Sequence, residues 1–358
     1  MTNEDMPDNA DGEMAAPSMA GVSFRPYRGE ADHPALLRVR LGCRNEGGVH
    51  ADSVVEPMPT AEGIADFATA PEDPSRDQII VEHGGTVVGH AHIISWTDGD
   101  GTVVYLHRGR LLPERRGQGI GTAMVRWAEG RIARLVAEHG TADRACFAAN
   151  AADVEADAVD LLEELGYACV FRVVEFELAD LRHLPDLPGT LPDGTELRPV
   201  EEAHYRPIWE MIREAYADTG NVGGWDFSGF VNGAEPAHWQ VAWDGSGVAG
   251  AALCVAGPRG NSVGEVRELS VRKDRRRKGL ARALLLAGLH ALARQGEHSA
   301  RLFTGAANPY RSYELYESVG FRRVATFGRY RKPFTSRESD VKSTTGAGRT
   351  ASVDWRDT

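Results

Sequence analysis

The chain has 358 residues, long for one domain and comfortable for two, and 42% of them are hydrophobic, enough for a buried core in each half. Its formal net charge of −12 weighs against a general nucleic-acid binder, which would be basic. No apolar run is long enough to span a bilayer, and Cys43, Cys146, Cys169 and Cys254 sit at neither zinc-ligand nor CxxC spacing, so no membrane segment and no metal centre are expected.

Residues 1–21 open MTNEDMPDNADGEM, without an apolar core or periodicity, and read as a disordered tail, not a signal peptide. The cysteines read as buried thiols of a reducing cytoplasm. FRPYRGEADHPALLRVR, from Phe24, reads as a strand running into an amphipathic helix, and LRPVEEAHYRPIWEMIR, from Leu197, reads the same way. VVGHAHI around Gly89 returns as VAGAALC around Gly250, RRGQGIG from Arg115 as RRKGLA from Arg276, and LLEELGY as LYESVGF. Four matches in one order define a duplication. The first copy is placed at 22–180, a linker rich in Pro, Gly and Asp at 181–194, the second copy at 195–333 and a polar tail at 334–358. In copy two, strands are read at 240–245, 248–257, 263–271 and 300–305, with helices at 279–294 and 310–319. The mixed order of strands and helices makes the fold class α+β, with two tandem domains, each a mixed, mostly antiparallel sheet flanked by helices.

The strongest chemical signal is a strand, a small-residue loop and a helix, seen twice. Copy two has Arg276-x-x-Gly279-x-Ala281, and copy one has Arg116-x-x-Gly119-x-Gly121. Such a turn aims backbone N–H groups and the positive end of the helix dipole at one point, and small residues let an anion approach. The copy-two loop adds Arg272, Lys273, Arg275, Arg277, Lys278 and Arg282, so a diphosphate is the natural occupant. No Walker sequence occurs, and GQGIGT lacks the third glycine of the dinucleotide fingerprint.

This loop, followed by Asn308 and then LYESVGF, resembles the GNAT acetyltransferase superfamily over roughly 22–180 and 195–333. The tandem arrangement resembles the two-domain members of the mycothiol synthase type in architecture. The resemblance implies acetyl-CoA as co-substrate and no metal. It places the pyrophosphate on the backbone of Arg276, Arg277, Lys278, Gly279, Leu280 and Ala281, and the thioester beside Leu269 and Val271, whose N–H would polarise its carbonyl. Asn308 would touch the pantetheine arm, and Tyr316 would be the general acid. In copy one Leu111, Arg116, Gly117, Gly119 and Gly121 take the corresponding cofactor-binding places.

The chemistry calls for the same residue types. An alkyl amine must lose a proton before it attacks, and a carboxylate can take it. A thiolate leaves readily and needs only modest help from a phenol. Glu265 and Glu268 are the candidate bases. Simple alternation puts Glu265, Arg267, Leu269 and Val271 on one face of the strand and Glu268 on the other. Glu265 is preferred, because its spacing from Val271 is similar to that of the family's catalytic glutamate. Either glutamate could instead serve only to pair an arginine.

Copy one has Leu162 in the place of Tyr316 and Tyr105 in the place of Glu265, with His107 read as structural. It is therefore expected to bind CoA without turnover. The acceptor pocket draws on Trp209, Tyr216, Trp225, Phe227, Phe230 and Trp239, among Glu210, Glu214, Asp218 and Asp226, a set that suits a cationic amine although most of the aromatics read as core. The reading is an acetyl-CoA-dependent N-acetyltransferase acting on a small-molecule or peptide amine, a monomer with an internal pseudo-dimer. The alternatives are a protein N-terminal or lysine acetyltransferase and a non-catalytic CoA-binding scaffold.

Overall fold

The computed structural model describes residues 20–46, 61–187, 190–192, 194–217, 227–257, 262–307 and 312–335. Most of both expected tails, Asn308 and the 218–226 segment carrying Asp218, Trp225 and Asp226 lie outside them.

Copy one runs β1 (Val22–Pro26), α1 (His33–Glu46), α2 (Ala61–Thr69), β2 (Gln78–His83), β3 (Thr86–Thr97), β4 (Val103–Leu111), α3 (Ile120–His139), β5 (Ala145–Ala152), α4 (Ala156–Glu164) and β6 (Ala168–Leu178). Copy two repeats the order as β7 (Glu196–Arg198), α5 (Tyr205–Tyr216), α6 (Phe227–Asn232), β8 (Gln240–Asp244), β9 (Gly247–Val255), β10 (Val263–Val271), α7 (Leu280–Gln295), β11 (Ser299–Gly305), α8 (Ser312–Val319) and β12 (Arg322–Pro333). The fold is α+β with mostly antiparallel pairing; among the described strands only β4–β5 and β10–β11 run parallel.

The two expected sheets are one. All twelve strands form a continuous sheet in the order β1-β2-β3-β4-β5-β12-β6-β11-β10-β9-β8-β7. The final strand of each copy crosses into the other. β12 pairs with β5 and β6 pairs with β11, while β6 and β12 pair with each other along Ala168–Glu177 and Arg322–Arg331. A bare strand edge exposes unpaired N–H and C=O groups, and the exchange removes two such edges at once.

Packing follows the exchange. Val174, Phe176 and Leu178 of β6 lie in the copy-two core with Leu280, Leu284, Leu289 and Leu292 of α7. Tyr330 of β12 is fully buried in the copy-one core with Ile120, Met124 and Ile132 of α3. The start of the linker is packed as well. Leu181 is buried against the copy-two core, and His290 of α7 donates from Nε2 to the Pro185 carbonyl at 3.0 Å.

Arg301 of β11 sits at the exchanged junction, fully buried, 2.8 Å from Glu177 and 3.8 Å from the equally buried Glu175, both on β6. Removing one member of a buried ionic cluster leaves charge in a low-dielectric interior without compensation. Arg301→Ala is expected to lower stability by about 3–5 kcal/mol in urea unfolding. A variant as stable as the parent would show that this cluster contributes nothing to the junction.

Candidate active site

In copy two the site begins where two strands part. β10 and β11 pair in parallel from Val263–Ser299 to Val266–Leu302 and no further, although β10 runs to Val271 and β11 to Gly305. From there β11 follows β6 and β10 follows β9. The N–H of Arg272 donates to the Ala249 carbonyl on the β9 side. Alternation therefore turns the N–H groups of Leu269 and Val271 into the wedge between β10 and β11.

Within β10 the register slips between Val266, opposite Cys254, and Glu268, opposite Leu253. Arg267 is the extra residue of a β-bulge. Directly opposed residues share a face, so Glu265 (opposite Val255), Glu268 (opposite Leu253) and Ser270 (opposite Ala251) all lie on the α5 side. Leu269 and Val271 lie on the α7 side. Simple alternation had separated the two glutamates; the bulge brings them together.

Their surroundings differ. Glu265 is half-buried, 3.5 Å from Arg267, which also binds Glu235 at 3.0 Å. Glu268 accepts hydrogen bonds from Tyr216 Oη at 2.8 Å and Ser270 Oγ at 2.5 Å. Burial raises both carboxyls above their ordinary 4.5. Tyr316 is buried on α8, its ring 5.7 Å from Phe176 and 6.2 Å from Phe321. Burial, reinforced by the Glu268 carboxylate, pushes the phenol up to about 12, so it holds its proton at neutral pH.

The two loops have the same backbone. Each leaves its strand through a single 3-10 turn, passes two left-handed residues and starts a helix: Gly117 (φ 68°) and Gly119 (φ 83°) before α3, Arg277 (φ 62°) and Gly279 (φ 84°) before α7. No side chain caps either helix, and a Cβ added at Gly117 or Gly279 would meet open space. The helix-start N–H groups thus face a cradle that fits a diphosphate. Arg276 braces this turn, donating from Nε to the Val271 carbonyl at 3.1 Å and from Nη2 to the Ala215 carbonyl at 2.8 Å. Arg116 does the same for Leu111 at 3.3 Å. Lys278 donates to the Asp274 carbonyl, Leu280 is buried in the core and Ala281 packs on its margin. Part of the loop's basic charge is offset, since Arg272 and Arg275 both bind Asp244.

Copy one repeats the wedge with different side chains around it. β4 and β5 pair only from Val103–Ala145 to Leu106–Ala148, and the Leu112 N–H donates to the Val88 carbonyl, which turns that of Leu111 into the gap. Gly121 packs under Leu161 of α4. β4 pairs with β3 without a slip, so Tyr105 and His107 point into the α3 core. Tyr105 Oη bonds Thr141 at 2.9 Å, His107 Nε2 bonds Tyr167 Oη at 3.0 Å, and Leu162 is core.

The expected acceptor aromatics divide. Phe230 and Trp239 are core, while Arg206 lies 3.5 Å from the centre of the Phe227 ring and Arg213 lies 4.8 Å from that of Trp209. The Tyr216–Glu268–Ser270 group was not foreseen as a unit. The Glu-x-Ser spacing hinted at it, but nothing in the sequence joins Tyr216 to it.

The chain belongs to the GNAT acetyltransferase family, whose profile matches residues 51–167 and 202–321, one stretch in each copy. It is thus an N-acetyltransferase of tandem GNAT architecture. It is 26% identical over 316 residues to a mycothiol acetyltransferase of Corynebacterium aurimucosum, covering 76% of this chain and 95% of that one. In fold it is similar to a GCN5-related N-acetyltransferase from Sphaerobacter thermophilus (TM-score 0.73, 21% identity, 88% of this chain and 96% of that one). It is also similar to a tandem GNAT protein from the clavulanic acid biosynthesis pathway (TM-score 0.63, 17% identity, 88% and 100%).

The family uses acetyl-CoA, and the cradle geometry sets an expectation for it. Gly279→Glu puts a carboxylate at a left-handed position, where a diphosphate held by this loop would meet the backbone. Calorimetry should show acetyl-CoA affinity at copy two falling at least tenfold, about 1.4 kcal/mol. Unchanged affinity there would remove the loop from the binding site.

Proposed function

We propose that the chain transfers the acetyl group of acetyl-CoA to a primary amine of a small molecule or peptide, with turnover confined to copy two. The observation that carries this reading is the wedge between β10 and β11, with a protonated phenol nearby and two carboxyls brought to one face by the bulge. Glu265 takes a proton from the ammonium, directly or through a water, and the free amine attacks the thioester carbonyl. The N–H of Val271 polarises that carbonyl. As the C–N bond forms and the C–S bond breaks, Tyr316 gives its proton to the departing thiolate. Arg276, Arg277, Lys278, Gly279, Leu280 and Ala281 cradle the diphosphate, and Asn308 is assigned to the pantetheine arm. Leu111, Arg116, Gly117, Gly119 and Gly121 form the corresponding cradle of copy one, which binds CoA without turning it over. The units 22–180 and 195–333 act as one monomer, because the strand exchange already covers the edges through which separate copies would dimerise. A mycothiol-related amine is the first acceptor to assay, given the name of the relative.

A second reading exchanges the carboxylates. The contact between Glu268 and Tyr216, and the influence of Glu268 on Tyr316, favour Glu268 as the base. Single variants separate the two readings. The base must be ionised, so turnover should fall as pH drops through a pKa above 4.5. With a mycothiol-related amine, Glu265→Gln should cut kcat by about 10²-fold or more and abolish that acid limb. Glu268→Gln should keep the limb; the reverse pattern assigns the proton to Glu268.

Tyr316→Phe should lower kcat by about 10²-fold or less and leave acetyl-CoA affinity nearly unchanged, because a thiolate needs limited help to leave. Full activity would mean that another group or a water protonates the thiolate. Gly119→Glu should retain a substantial part of the activity, whereas Gly279→Glu should abolish it. A folded but dead Gly119 variant beside a working Gly279 variant would place catalysis in copy one and overturn this assignment.

A further inference from the structure

The two loops share one backbone shape but are held in it by different means. Gly89 opposes Leu111 as Gly250 opposes Val271. Counted from these anchors, Arg272 and Lys273 stand where copy one has Leu112 and Pro113, and Arg277 stands where it has Gly117. At the end of the preceding hairpin, Asp244 opposes Gly247 as His83 opposes Thr86. We propose that Asp244 is a positioning residue for acetyl-CoA, clamping the copy-two loop in its diphosphate-binding shape before the cofactor arrives. This inference rests on the reading of that loop as the cradle and holds whichever glutamate is the base.

The clamp is built from printed side chains of three neighbouring segments. Asp244 is the last residue of β8, and it is buried. Its carboxylate accepts the Ser246 N–H at 2.7 Å and Nη1 and Nη2 of Arg272 at 3.3 and 2.5 Å, and it lies 2.7 Å from Nη2 of Arg275. Arg272 precedes the 3-10 turn and Arg275 is its last residue, so one carboxylate grips both ends of the turn. Arg272 also donates from Nη1 to the Val248 carbonyl at 3.0 Å and from Nε to Asp274 at 2.7 Å. The first half of the loop is thereby fixed to the β8–β9 hairpin, as Arg276 fixes the second half to Val271 and α5. Hydrogen bonds between guanidinium and carboxylate are among the stronger and more directional ones. The Arg272 guanidinium holds the Asp244 carboxyl down to about 2, so the clamp is charged throughout the neutral range.

A second observation shows what the clamp works against. Arg277 has φ 62°, and among the described residues it alone is left-handed without being glycine. A side chain makes that conformation unfavourable, and it persists only where the surroundings hold it. Copy one reaches the same shape without this cost. Gly117 takes the left-handed position freely, and Pro113 fixes φ at the start of the turn. Copy one therefore stiffens its loop through the chain itself. It has no counterpart of the clamp, because Leu112 carries no charge to meet an acid on the hairpin. Copy two keeps an arginine at the strained position and holds it from outside.

The consequence falls on binding and not on chemistry. A loop already in its bound shape loses little freedom when the ligand arrives, so preorganisation strengthens affinity without touching the reacting atoms. The opposite expectation is equally definite: if Asp244 only neutralised Arg272 and Arg275, removing its charge would release two cations beside the cradle and tighten an anionic ligand.

The test is calorimetric titration of the full chain with CoA, the copy-two site being the one that Gly279→Glu removes. At that site Asp244→Asn, which keeps the side chain's shape and loses its charge, should weaken CoA at least tenfold. With a mycothiol-related amine as acceptor, the KM for acetyl-CoA should rise by a similar factor, while kcat at saturation stays within about twofold. General damage to the fold would lower kcat as well, and such a fall overturns the proposal. If Asp244→Asn is unfolded by circular dichroism, Arg272→Gln, which removes one arm of the clamp, decides by the same criteria. Unchanged or tighter CoA binding in the clamp variant, beside its loss in Gly279→Glu, overturns the clamp and leaves the cradle standing; no loss in either variant overturns both.

Discussion

The antiparallel seam between β6 and β12 is the constraint on which the rest of this structure depends. A sheet cannot end in a bare, buried edge, because each unpaired N–H and C=O there costs as much as a lost hydrogen bond. Here each copy completes the other's sheet. Phe176, encoded in copy one, lies against the rings of Tyr313 and Tyr316 in copy two at 5.1 and 5.7 Å. The wall behind the phenol of copy two thus belongs to the first half of the sequence. In return β12 carries Tyr330 into the core of copy one and Arg329 near Arg108. Neither copy is a self-contained module.

Within that shared frame, the two copies diverge through local geometry and side-chain choice. Their loops match residue for residue in backbone conformation, and both strand pairs part after four paired positions. A strand carries its side chains to alternate faces, so a single inserted residue resets everything on one side of it. The bulge at Arg267 moves Glu265 onto the face of Glu268. Copy one has no slip at the matching place, and its strand shows arginines to one side and packs Tyr105 into the core on the other.

Much of this was legible in the sequence. The repeated small-residue loops declared themselves because glycine at a left-handed position and a helix start leave a local signature, and strand alternation placed β8 to β11 within a few residues. The bulge did not declare itself: Glu-Val-Arg-Glu-Leu-Ser has the same period with or without it, and only the partner strand reveals the slip. The strand exchange was equally hidden, since Val174, Phe176 and Leu178 would suit either core. Tyr216 lies far from Glu268 in the chain, and a helix end gives no sign of which strand it will meet. The alignment of Leu111 with Val271 was readable, but the equivalence of Tyr105 and Glu265 held only in sequence, because the two side chains leave their strands on opposite faces.

The exchanged strands also bear on how the protein is made. A chain leaving the ribosome emerges from its N-terminus, and domains generally fold in that order. Copy one cannot follow this rule to completion, because the strand that lies beside β5 is β12, the last of the described strands. Until β12 is released, the nascent protein carries an open edge at β5, and β6 must wait for β11 before its apolar side chains are covered. Completion of both halves is therefore deferred until β12 has emerged, and a ribosome that stalls before it leaves two unfinished sheets in place of one finished sheet.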